Sequence, residues 1–146
     1  MTISGRSLLI LGGVLNFATA TLHVAIPFVG VSAYVYFGAA DLARLAAQGS
    51  TVPALITFML ALVFAGIGLY ALSGAGVIRR LPMLRQGLLF VGSVHTLRGM
   101  ILVLDLLRLA RGLNYPIRQT FFSAVALAIG LLYLVGTARR WQSLRA

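Results

Sequence analysis

His95, Arg98 and Asp105 fall inside one apolar stretch, Leu84 to Leu107, whose other residues are mostly Leu, Val, Ile, Phe and Met. Steps of three and seven set His95, Arg98, Leu102 and Asp105 on one stripe of an α-helix. Each of the three has a chemistry. An imidazole titrating near neutral pH can relay a proton, and a guanidinium stays charged and presents a planar fork of donors to a carboxylate or phosphate. A carboxylate can balance either cation. An ionisable side chain within a membrane-crossing helix costs on the order of 3 kcal/mol on insertion scales, so it is expected to face protein or a wet cavity.

A second stripe lies earlier in the chain, where Gly12, Asn16, Thr19 and His23 follow i, i+4, i+7 and i+11 and make one helix face small and polar. If the helices carrying the two stripes run parallel, the depth of His23 falls between those of Arg98 and Asp105. Thr57 and Ser123 then enter near the same surface. The expected ligand-binding set is His23, His95, Arg98, Asp105, Asn16 and Thr19, around a polar pocket in the outer half of the membrane. A purely structural arrangement competes with it. Arg98 and Asp105 can neutralise one another through a water, and Asp105 can pair with Arg108 at i+3. Each histidine can hydrogen-bond a neighbouring helix, and Asn16 and Thr19 can serve as packing contacts.

Composition requires that these residues be positioned by helices in lipid. Of 146 residues 60% are hydrophobic and 10% charged, with a mean hydropathy of +1.01, outside the range of water-soluble domains. Four spans are expected, at about 7–29, 53–72, 84–107 and 121–138, each able to cross a hydrocarbon core about 30 Å thick. The expected fold is therefore all-α, an integral membrane four-helix bundle forming a single domain. A short interfacial helix is expected at Ala39 to Gln48, between the first two spans. Tyr34, Tyr36 and Phe37 suit an aromatic belt at the bilayer surface, and Tyr70 and Tyr133 suit interfacial anchoring at the opposite ends. Ala18-Thr19-Ala20 mimics a signal-peptidase site, but the apolar run continues to Val29, which favours an uncleaved first span.

The formal charge is +10, and every basic residue is arginine. The arginines collect at the ends of apolar segments rather than on a stripe with aromatics, which points to lipid headgroups and topology rather than nucleic acid. Arg6, Arg79, Arg80, Arg85, Arg139 and Arg140, with Arg145, outweigh Arg44, Arg108, Arg111 and Arg118. Positive-inside then sets both termini in the cytoplasm.

Several classes fall away. Without cysteine there is no thiolate nucleophile and no thiol-ligated cluster, and no glutamate supplies a general acid. No zinc-protease, serine-hydrolase or P-loop pattern is present, so no catalytic residue is assigned and no metal site is expected. Haem b between His23 and His95 is an alternative, with Arg98 near a propionate. Against it stands a depth mismatch of roughly 7 Å at 1.5 Å per residue.

Tyr36-Phe37-Gly38-Ala39, Leu69-Tyr70-Ala71-Leu72-Ser73-Gly74-Ala75-Gly76, Leu81-Pro82 and Leu97-Arg98-Gly99 together resemble small uncharacterised four-helix inner-membrane proteins of bacteria. The resemblance implies an inner-membrane location and carries no activity. The leading expectation is a non-enzymatic protein that binds or moves a small anionic or amphipathic, lipid-like ligand, with Arg98 as its anchor. The alternatives are an accessory subunit of a larger membrane complex and haem-based electron transfer. Expected partners are membrane lipids, that ligand, and either further copies of the chain or a larger complex.

Overall fold

A computed structural model describes residues 4–144, and among them the chain is helical with no strand. The elements are α1 (Gly5–Val29), α2 (Val31–Tyr36), α3 (Ala40–Ala47), α4 (Val52–Gly74), α5 (Leu84–Gly99), α6 (Ile101–Ala110) and α7 (Ile117–Arg139). Four segments are long and apolar enough to cross a membrane: α1, α4, the α5–α6 pair from Leu84 to Ala110, and α7. Their outer faces carry large apolar side chains such as Phe28 (80% exposed), Ile117 (75%) and Leu62 (74%). Exposure on that scale suits hydrocarbon as the surrounding solvent.

The residues fall into two compact units, one formed by the chain up to Val14 together with Leu69 onward, the other by Leu15–Gly68. In the first, α5 and α7 meet along a seam of small residues. A Cβ on Gly92 would stand 2.7 Å from Leu134, one on Gly99 would collide with the Leu127 backbone, and one on Gly130 would collide with Thr96. Gly92, Thr96 and Gly99 repeat at i, i+4 and i+7, and Leu127, Gly130 and Leu134 opposite them at i, i+3 and i+7. Lipid tails are as apolar as leucine, so helices in a membrane associate through such close backbone approach rather than through a hydrophobic drive. Leu9, at the start of α1, is fully buried and lies over both Gly74 and Gly136.

The third span is not one continuous helix. Met100 keeps helical torsions between α5 and α6, and its N–H reaches Thr96 O at 2.8 Å, yet Val103 N–H bonds Met100 O at 3.1 Å, an i to i+3 step. This tightened turn sits beside Gly99, where α5 comes closest to α7.

In the second unit, Gly30 at φ +80° turns the chain from α1 into α2, a conformation that an L side chain resists. Ile26, Ala33, Tyr34 and Ala43 then form a small core, closed by Phe37, Ala39, Leu42 and Ala46. Thr57 donates to Pro53 O at 2.7 Å, so the Tyr34 hydroxyl, 3.3 Å from Thr57 Oγ1, donates to it. The expected helix at Ala39–Gln48 is present as Ala40–Ala47. The six-residue α2 before it was not legible, because its register lies within an aromatic-rich run. Tyr34 is 3% exposed and belongs to this core, not to a surface belt.

Candidate functional site

The best-connected polar group in the first unit is a three-residue chain joining α5, α6 and α7. Arg98 closes the last turn of α5, Asp105 stands in the middle of α6, and Ser123 lies in the second turn of α7. Ser123 Oγ donates to Asp105 Oδ2 at 2.7 Å and accepts from Arg98 Nη1 at 3.2 Å. Ser123 and Asp105 are both buried, whereas Arg98 as a whole is exposed. The chain therefore bridges the break at Met100, with one partner on each side and the third on the helix that packs across both.

Arg108 Nη1 stands 3.6 Å from Asp105 Oδ1, and its guanidinium lies 5.2 Å from the Tyr115 ring in the loop before α7. Hydrogen bonding to the Asp105 carboxylate holds the Tyr115 phenol above its ordinary pKa, with burial acting the same way and Arg108 opposing both. Two guanidiniums thus share one carboxylate, so this part of the helix pair carries a local excess of one positive charge. Arg98 is the fifteenth residue of the Leu84–Ala110 segment, about 21 Å from its start at 1.5 Å per residue.

Both expected partnerships of Asp105 are therefore present, the i+3 contact with Arg108 and a link to Arg98 through Ser123 in place of a water. His95 shares the Arg98 stripe but is engaged elsewhere. Its Nδ1–H donates to Val91 O at 3.1 Å, and its ring stacks on Tyr133 at 6.3 Å and an interplanar angle of 2°. Tyr133 is fully buried and lies against Gly12 and Gly92, so it packs helices together and is not a surface anchor.

The other three expected residues belong to the second unit. His23 Nδ1–H donates to Thr19 O at 2.8 Å, and its ring tilts against Phe64 at 4.9 Å. Thr19 Oγ1 donates to Leu15 O at 2.9 Å, a bond onto its own helix. Asn16 is fully buried. Sequence reasoning placed Ser123 only as a polar group near the surface and passed over Tyr115. A hydroxyl near the start of an apolar span was the signal for Ser123, and Tyr115 gave none.

Three surface grooves lie at helix ends. One, of about 350 Å³, is lined by Leu104, Leu107, Arg108, Arg111 and Leu113, residues on either side of Asp105 in sequence. The other two, about 540 Å³ each, lie at the far end of the same unit, lined in one case by Arg80 to Gln86 with Leu144 and in the other by Ser4 to Arg6 with Ala138 to Ser143. None of the six expected residues lines them.

No family model, curated protein or solved structure matches this chain.

Proposed function

We propose that the chain is a multi-pass protein of the bacterial inner membrane, with both termini cytoplasmic, that binds or moves a small anionic or amphipathic ligand at Arg98. One observation carries this reading. Arg98 is permanently charged, is exposed, lies midway along an apolar span and shares a single carboxylate with Arg108. An isolated cation at that depth is costly, so an anion arriving at Arg98 removes a penalty that Asp105 offsets only in part. Ser123 fixes the guanidinium in place beforehand, which lowers the ordering cost of binding. The leucines around Arg108 and Arg111 suit the apolar portion of such a ligand.

The same exposed charge supports a second reading, an accessory subunit in which the anion is a carboxylate on another membrane protein. Native mass spectrometry after extraction in mild neutral detergent separates the two. A bound small anion supports the first reading, and a stoichiometric protein partner lost on Arg98→Ala supports the second. A bare chain that behaves identically with and without Arg98 contradicts both.

A further inference from the structure

The end of α6 builds a groove from its own face and the turn that follows it. Leu104, Leu107, Arg108 and Arg111 follow i, i+3, i+4 and i+7, one side of the helix and its cap. The chain then turns at Gly112, at φ +69°. Gly112 N–H reaches Leu109 O at 3.0 Å and Leu113 N–H reaches Arg108 O at 3.1 Å, the paired bonds of a helix end closed by a left-handed glycine. Leu113, folded back by this turn, completes the lining of the groove of about 350 Å³. That volume lies within the range of small-ligand sites, roughly 300–1,000 Å³.

The groove is graded along the helix axis. Leu104 and Leu107 come first, and Arg108 and Arg111 flank Ala110, where the apolar segment ends. Leu104 to Arg111 covers about 10 Å of rise. All five lining residues are exposed. Arg108 stands 3.6 Å from Asp105, whereas the Arg111 side chain makes no hydrogen bond or ion pair with the described residues. Asp105 is the one acidic side chain in this unit. It is buried and already receives Ser123. One carboxylate balances at most one of the two guanidiniums, so the groove carries a net positive charge.

We infer that this groove holds a membrane phospholipid of net negative charge, with its phosphate at Arg108 and Arg111 and an acyl chain against Leu104, Leu107 and Leu113. Guanidinium forks suit phosphate oxygens, and residues three apart on a helix can converge on one group. A lipid in its leaflet stands with the headgroup at the surface and the chain inward, the same order as arginine and leucine along α6. A zwitterionic headgroup fits less well, because its ammonium would enter a groove that is already positive. The site shares its leucines with the function proposed above, but Arg98 takes no part in it and it does not rest on that reading.

The test uses the full chain in nanodiscs of equal parts phosphatidylcholine and phosphatidylglycerol, with native mass spectrometry counting the lipid retained on release. Phosphatidylglycerol is expected to be enriched on the protein. Arg111→Gln should weaken its retention about fivefold, the scale of one arginine near a charged surface, at unchanged helix content. Leu107→Asn keeps both arginines and should also weaken it, because the chain contact is lost. Arg44→Gln removes the same charge from the second unit and should have no effect, as should Arg98→Ala. Equal loss in Arg111→Gln and Arg44→Gln would reduce the preference to net charge. Loss in Arg98→Ala with none in Arg111→Gln would give the groove to the Arg98 ligand alone and leave Arg111 to offset the negative end of α6. Displacement of the lipid by an equal concentration of inorganic phosphate would make this a site for a free ion. Any of the three would overturn the inference.

Discussion

Ser123 Oγ donates to Asp105 Oδ2 at 2.7 Å, joining α7 to the half of the third span that lies beyond the break at Met100. The same oxygen receives Arg98 Nη1 from the half before it. One hydroxyl thus fixes both halves of an interrupted helix to its neighbour.

Ser123→Ala removes both bonds and leaves a buried carboxylate with one partner fewer. We expect a loss of about 1 kcal/mol, the scale of interhelical hydrogen bonds in membranes. Chemical unfolding in neutral detergent would measure it. In the double variant with Arg98→Ala, the two losses should be less than additive, since both delete the same bond.

The α5–α7 seam makes a sharper stability prediction. Gly99→Ala forces its methyl onto the Leu127 backbone and should cost about 1–3 kcal/mol. Gly66 has nothing within 4 Å of a new Cβ. Gly66→Ala should therefore be neutral or stabilise by up to about 1 kcal/mol through helix propensity. Thermal melts of the two variants side by side would check the pair.

This contrast marks how far the sequence was legible. Four apolar segments with the observed loops followed from hydropathy, because the length of hydrocarbon to be crossed leaves few alternatives. The stripe of His95, Arg98 and Asp105 followed from helical spacing. What spacing cannot supply is which neighbour each side chain meets. Gly66 and Gly99 are alike in sequence, yet only one faces another backbone. Ser123 became a hub, and His95, on the same stripe as Arg98, turned to Tyr133 instead. The break at Met100 was not legible because no proline marks it, and Gly99 beside it signals a close helix crossing as readily as a break.

Tyr115 gives a pH prediction. The nearby Asp105 carboxylate favours the neutral phenol, which holds its folded pKa above the ordinary 10.0. A raised folded pKa means that the contact stabilises the fold fully below the unfolded value and is lost as pH rises through the folded one. Ultraviolet titration of the wild type minus Tyr115→Phe should place this tyrosinate transition above 10.0, and Asp105→Asn should bring it down. A transition at or below the ordinary value would contradict the contact.

In the second unit, Tyr34 ties α2 and α3 to α4 through Thr57. Tyr34→Phe removes one bond and should cost about 1 kcal/mol, whereas Tyr34→Ala also opens the small core and should cost about 3–5 kcal/mol. Hydrogen exchange should show the loss as faster opening of α2 and α3, with the protection of α5 and α7 unchanged.

If Arg98 anchors anions at membrane depth, a defined anionic probe should bind there. Dodecyl phosphate, a single-chain anionic amphiphile, would be titrated by calorimetry into the protein in neutral detergent, against uncharged dodecyl maltoside as the background. Binding should saturate at one Arg98-dependent site, weakened about tenfold or more in Arg98→Ala, equivalent to about 1.4 kcal/mol, and less in Arg98→Lys, which keeps the charge but not the fork. Binding of equal strength by folded wild type and Arg98→Ala would contradict it.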